Sequence, residues 1–215
     1  MRAARFLAVS ALLLAVAAHV GQGRLAPAAL AQATQQDADR FIKLLRSYDY
    51  EKLIGDQVVT TDRQMAPPCN GARKIVSRQA VVIIEPPQFV ATRDVPIAGR
   101  WLEKVTVSRC GRNVRHNVFL FASKIRGLHA VAGFPGDTRA GVDLQFEVAK
   151  AVIANARRIN PTCRRLDIVD TSQTSAAAPG ESWREIWTTW ACGTLLSAEV
   201  RYAAKTGGGV GFTVR

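Results

Sequence analysis

The sequence predicts an α+β fold built as two tandem repeats, each a helix followed by a disulfide-stapled antiparallel β-meander. Three observations carry this expectation. An eleven-residue pattern is written twice, the four cysteines fall at matching places around the two copies, and stretches of helical period alternate with stretches rich in β-branched and aromatic residues.

The repeated pattern reads W-x-E-x-(apolar)-T-x-x-x-C-G. "WLEKVTVSRCG" from Trp101 aligns without gaps on "WREIWTTWACG" from Trp183. Trp101, Glu103, Thr106, Cys110 and Gly111 fall opposite Trp183, Glu185, Thr188, Cys192 and Gly193. The offset persists further along, where Val118 meets Val200, Ala122 meets Ala204 and Gly127 meets Gly209. An ordered series of this kind predicts an internal duplication, with a first unit over 34–138 and a second over 139–215.

Residues 1–33 read as a cleaved secretory signal. Arg2 and Arg5 precede an apolar run from Phe6 to Val20, and Ala31 and Ala33 fit an A-x-A processing site. The run is about 15 residues, short of the roughly 20 that span a bilayer. Without the leader the chain loses Arg2, Arg5 and Arg24 and no acid, so its net charge goes from +12 to +9. A basic exported chain favours anionic partners, such as envelope polymers, lipid headgroups or an acidic protein. Export argues against nucleic acid, so the expected location is the periplasm or the outside of the cell.

Four cysteines in an oxidising compartment predict two disulfides. If each copy staples itself in the same way, the pairs are Cys69 with Cys110 and Cys163 with Cys192. In the chain-entropy picture each link constrains the unfolded chain by about 3 to 4 kcal/mol. Closely spaced metal-ligand pairs such as C-x-x-C are missing, and only His116 and His129 follow the leader, so no metal is expected.

Within each unit the elements follow from period and punctuation. "DADRFIKLLRSY" (37–48) sets Phe41, Leu44 and Leu45 on one face of a helix. "DLQFEVAKAVIANARRIN" (143–160) does the same with Leu144, Val148 and Val152, with Asp143 as the expected N-cap. The two repeated stretches read as strands, 117–123 and 198–204 as the strands that return, and 127–134 and 208–215 as third strands. "AVVIIE" (80–85) is an extra strand ended by Pro86 and Pro87.

On the second repeated strand Trp183, Glu185 and Trp187 point one way, and Ile186, Trp190 and Cys192 the other. Both faces are then largely apolar, which predicts a central strand covered on both sides. Trp183, Glu185 and Trp187 are also the candidate ligand contacts, since Trp187 is Val105 in the first copy and any aromatic platform belongs to the second alone. Glu103 and Glu185 are the acids a hydrolase would use, yet a strand glutamate beside tryptophan more often pairs with an arginine across the sheet. The sequence carries no G-x-S-x-G elbow and no G-x-x-x-x-G-K-[ST] loop, and oxidised cysteines are not nucleophiles, so no catalytic residue and no cofactor are assigned. Two basic groups flank the cysteines, and Arg112, Arg115, Arg164 and Arg165 are the candidate contacts for an anionic partner.

The string Trp183, Glu185, Trp187, Cys192, Gly193, followed by Val200, Tyr202, Gly208, Gly209 and Phe212, resembles a W-x-E-x-W-x4-C-G … G-G-x-x-F pattern of small secreted bacterial proteins without known activity. The resemblance implies an exported chain and no particular chemistry. The tandem stapled α+β build is similar in architecture to the beta-lactamase inhibitory proteins, a likeness of fold alone. The expectation is an envelope or secreted binding or adaptor protein for an anionic or protein partner. An envelope hydrolase working through a strand glutamate, or a secreted inhibitor or effector, is the alternative.

Overall fold

The computed structural model describes residues 27–67, 69–79, 81–174 and 181–215, with side-chain burial from residue 35 onward. Three helices and nine strands follow one another as α1 (Pro27–Leu45), α2 (Tyr48–Met65), β1 (Lys74–Arg78), β2 (Val82–Gln88), β3 (Ala98–Arg109), β4 (Arg112–Ser123), β5 (Gly127–Pro135), α3 (Val142–Ile159), β6 (Leu166–Gln173), β7 (Trp183–Ala191), β8 (Thr194–Ala204) and β9 (Val210–Val214). The fold is therefore α+β. Residues 1–26 of the expected leader lie outside the described residues, and its end from Pro27 forms the first turns of α1.

The strands form two antiparallel sheets. The first runs β1-β3-β4-β5, with β2 pairing the N-terminal half of β3 beside β1, and the second runs β6-β7-β8-β9. Each sheet has its own core, the first under α1 and α2 and the second under α3. Tyr50, Ile54 and Val58 of α2 pack on Trp101, Val105, Val118 and Leu120, while Val148, Ala149 and Val152 of α3 pack on Trp187, Ala198, Val200 and Tyr202.

Both long hairpins turn on a Cys-Gly pair. Cys110 and Gly111 have φ of 45° and 73°, and Cys192 and Gly193 have 50° and 95°. Two positive values in a two-residue loop match the twist of the flanking strands, paired as Arg109 with Arg112 and as Ala191 with Thr194. Among the described residues the two cysteines are the only non-glycine positions with positive φ. A side chain in that region costs energy, and here each one is tied down: Cys110 to Cys69 ahead of β1, and Cys192 to Cys163 between α3 and β6. The pairing is the one expected from the repeated pattern.

Four expectations need correcting. The helix expected over 37–48 ends at Leu45, and a second helix, α2, follows that the sequence reading did not anticipate. Ser47 starts it by accepting the Tyr50 N–H on its Oγ at 3.3 Å. Its buried stripe is Tyr50, Ile54, Val58, Thr61 and Asp62, so the helical spacing is present but its last turn is polar, and "VVTT" favours strand locally. The N-cap of α3 is Gly141, with Asp143 inside the first turn. β2 continues through Pro86 and Pro87 as far as Gln88, at a place where its pairing with β3 shifts register between Glu85 and Gln88, an irregularity of the kind in which prolines are accommodated.

The fourth correction concerns β7. Its helix-facing residues Glu185, Trp187, Thr189 and Ala191 are buried, whereas Ile186, Thr188 and Trp190 on the opposite face are half-buried. One face is core and the other lines a cleft.

Candidate functional site

Glu185 is fully buried and receives five hydrogen bonds. Its Oε2 accepts from the Thr138 hydroxyl at 2.8 Å, the Trp187 indole N–H at 2.9 Å and the Tyr202 hydroxyl at 2.9 Å. Its Oε1 accepts from the Arg139 backbone N–H at 2.7 Å and the Trp183 indole N–H at 3.0 Å. A carboxylate offers about four lone-pair directions, so this one has no capacity left for substrate. Thr138 and Arg139 belong to the link between β5 and α3, and the carboxylate thereby knits that link into the second core.

Glu103 occupies the corresponding step of β3 and is 1 % exposed. It accepts the Tyr50 hydroxyl at 3.0 Å and pairs with the Arg78 guanidinium, while the Trp101 indole N–H donates to the Tyr50 oxygen at 2.9 Å. Burial beside a carboxylate pushes both Tyr50 and Tyr202 well above the ordinary tyrosine pKa. A hydrolytic acid needs an open path to a substrate atom. Both glutamates are structural centres instead.

A third buried acid was not singled out from the sequence. Asp62, near the end of α2, is 1 % exposed and accepts Arg73 Nε at 2.8 Å. Arg109 Nε lies 2.8 Å from its other oxygen in an ion pair, and His116 Nε2 lies 3.1 Å from that same oxygen. Burial pushes the Asp62 carboxyl up, but the His116 hydrogen bond and the Arg109 and Arg73 cations outweigh it and hold the group below its ordinary value. The sequence signal was only a polar residue within the apolar stripe of a helix. Among the described residues no cluster of histidine, cysteine and acid could hold a metal ion.

The expected contact residues separate. Trp187 and Glu185 are 0 % exposed, so their assignment as ligand contacts is corrected to core. Trp183 is half-buried, stacks on Tyr202 with ring centroids 4.4 Å apart, and borders a hollow of about 970 Å³ shared with Arg184, Arg201, Lys205 and Phe212. Arg165 pairs with Asp167 and donates to the Ala66 carbonyl at 2.6 Å, which fastens the start of β6 to the end of α2. Arg164 is exposed and lines no cavity among those described.

Arg112 and Arg115 share a cleft with residues of the other sheet. They form one wall of a cleft of about 690 Å³, and Trp190 and Leu195, cross-strand neighbours on β7 and β8, form another. Leu195 is 60 % exposed. The base of the cleft is where the sheets join: Thr171 Oγ1 donates to the Pro135 carbonyl at 2.8 Å, and the Asp137 N–H donates to the Thr171 carbonyl at 2.5 Å. Gly136, at φ 105°, passes so close that a Cβ there would lie 2.1 Å from the Thr171 oxygen.

Asp137 sits on this base between Lys104 and Arg115. The Lys104 hydrogen bond, opposed by burial and helped by the Arg115 charge, lowers its pKa. Asp170 is displaced upward by partial desolvation, opposed by the Thr171 backbone and reinforced by Asp137. The cleft thus combines exposed Arg112 with a tryptophan-leucine wall and two acids. Comparison with protein-family models, curated proteins and solved structures returns no match.

Proposed function

We propose that the chain is an exported, non-enzymatic binding protein that engages a partner of the cell envelope through the cleft between its two sheets. The observation that carries this reading is the convergence of Arg112 and Arg115 with Trp190 and Leu195 from separate sheets on one accessible surface. Arginine and tryptophan supply large contact area and directional hydrogen bonds, and they dominate binding energy at protein interfaces. The saturation of Glu185 by five donors speaks against the hydrolase alternative.

Export rests on the Arg-led apolar leader and on the two disulfides, which are compatible with an oxidising compartment. Among the described residues no helix is long and apolar enough to cross a membrane. We also read the two sheet units as copies of one ancestor. Their repeated strand pattern, matching Cys-Gly turns and matching disulfides support this reading.

Cross-linked pull-down of the oxidised mature protein from its own envelope tests the proposal. One stoichiometric partner should be recovered, and Arg112→Ala and Trp190→Ala should each lower its recovery at least tenfold while Arg164→Ala leaves it unchanged. Equal recovery by all three variants would remove the cleft from the function.

A further inference from the structure

The hairpin joining β4 to β5 carries the most exposed large apolar side chain described. Ser123 pairs with Gly127 across it, the Arg126 N–H donates to Ser123 Oγ at 3.0 Å, and Gly127 takes φ of 66°. These constraints hold Lys124, Ile125 and Arg126 at the apex as a firm tip. Ile125 is 96 % exposed, and both flanking cations are exposed as well. A lone isoleucine at the summit of a hairpin contributes nothing to the core.

The tip continues into a larger surface. Ile125 and Arg126 share one hollow with Arg100, Phe121 and His129, and Arg100 and Phe121 share a second with Ile84. From Ile84 the strand exposes Ile83 and Val82 at 44 % and 54 %. The acids bordering these hollows are Glu85, which pairs with Arg100, and Asp143. Arg100, Phe121 and His129 are neighbours across β3, β4 and β5, so cationic and aromatic groups extend from the tip over one side of the first sheet, well separated in the chain from Trp190 and Leu195.

We infer that this hairpin tip docks on an anionic lipid surface, with Ile125 entering the headgroup boundary and Lys124 and Arg126 meeting lipid phosphates. The charge is complementary, since the tip is flanked by cations and the chain without its leader carries +9. The shape favours a lipid surface over a folded partner. A protein interface needs roughly 800 Å² of matched surface on each side, whereas a protruding apolar residue between two cations suits a soft, deformable boundary. A cation near such a surface strengthens association about fivefold. This inference is independent of the cleft between the sheets.

Co-sedimentation of the oxidised mature protein with vesicles tests it. Vesicles of phosphatidylglycerol and phosphatidylcholine should retain the protein, and vesicles of phosphatidylcholine alone should retain at least tenfold less. Ile125→Ser should lower retention on the anionic vesicles about tenfold, and Lys124→Ser with Arg126→Ser about twentyfold. Raised salt should weaken the wild type and leave the double variant little changed. Ile125→Trp should bind more tightly, with its fluorescence shifted to the blue. All these side chains are exposed, so circular dichroism should show the variants folded. Equal retention on both vesicle types, or an Ile125→Ser variant that binds as well as the wild type, would overturn the inference. Trp190→Ala should leave vesicle retention unchanged, which separates this surface from the partner cleft.

Discussion

Glu103 and Glu185 stand at the same step of two strands, each opposite a valine, Val118 and Val200, on the returning strand. Their charges are stabilised differently. Glu103 meets a guanidinium from β1 and a tyrosine from α2, so it joins a strand edge and a helix to the sheet. Glu185 is held by five uncharged donors, with its tyrosine on the neighbouring strand and two further donors from the link to the first sheet. A buried carboxylate can be held by an ion pair or by a full set of hydrogen bonds. The first sheet takes the former route and the second the latter.

The comparison ranks the consequences of losing each group. Glu185→Ala would strand five donors, and at about 1 kcal/mol or more per unsatisfied group it should cost at least about 4 kcal/mol, so that little folded protein survives in thermal melts. Removing Cys69 with Cys110, the longer loop, should cost about 4 kcal/mol, and removing Cys163 with Cys192 slightly less, read from denaturant midpoints under oxidising conditions. Glu103→Gln should cost only about 2 kcal/mol, because Arg78 is partly exposed and water can replace its partner. A Glu103→Gln penalty larger than that of Glu185→Gln would break the comparison.

The titrating groups sharpen it. The folded pKa of Asp62 is depressed, so its contribution is present above the ordinary carboxylate range and is lost as pH falls through the folded value. Asp62→Asn should flatten the acid limb of the stability curve. Tyr50 and Tyr202 have raised values, so their contribution is complete below the ordinary tyrosine pKa of about 10 and declines as pH rises beyond it. Their phenolate absorbance should appear only together with alkaline unfolding, and Tyr202→Phe should remove part of that signal. The smallest effect belongs to Arg164→Ala, an exposed position where stability should change by less than about 0.5 kcal/mol.

The three-strand meander of each sheet and the cysteine pairing were legible because they rest on local chemistry repeated in the chain, whereas β1 and β6 were not anticipated as strands. A tryptophan-rich alternating run followed by Cys-Gly names a strand and its turn wherever it occurs. Helix α2 was missed because its buried stripe ends in Thr61 and Asp62, residues that become suitable for burial only when Arg73, Arg109 and His116 converge on them. The candidate site was half legible. Arg112 and Arg115, two of the four arginines offered as contacts for an anionic partner, line the cleft together, and the aromatic residue on its other wall is Trp190, on the side of β7 opposite Trp187.

By itself the sequence determined the α+β class, the two repeated strands and their Cys-Gly turns, since propensity, alternation and punctuation act within a dozen residues. Tertiary structure alone decided which face of β7 is core, that both glutamates are buried and which donors satisfy them, and that Arg112 and Trp190 line one cleft beside the junction at Gly136. Those outcomes depend on contacts between separate elements of the chain, such as Thr138 with Glu185 and Tyr50 with Glu103, whose geometry no local pattern encodes.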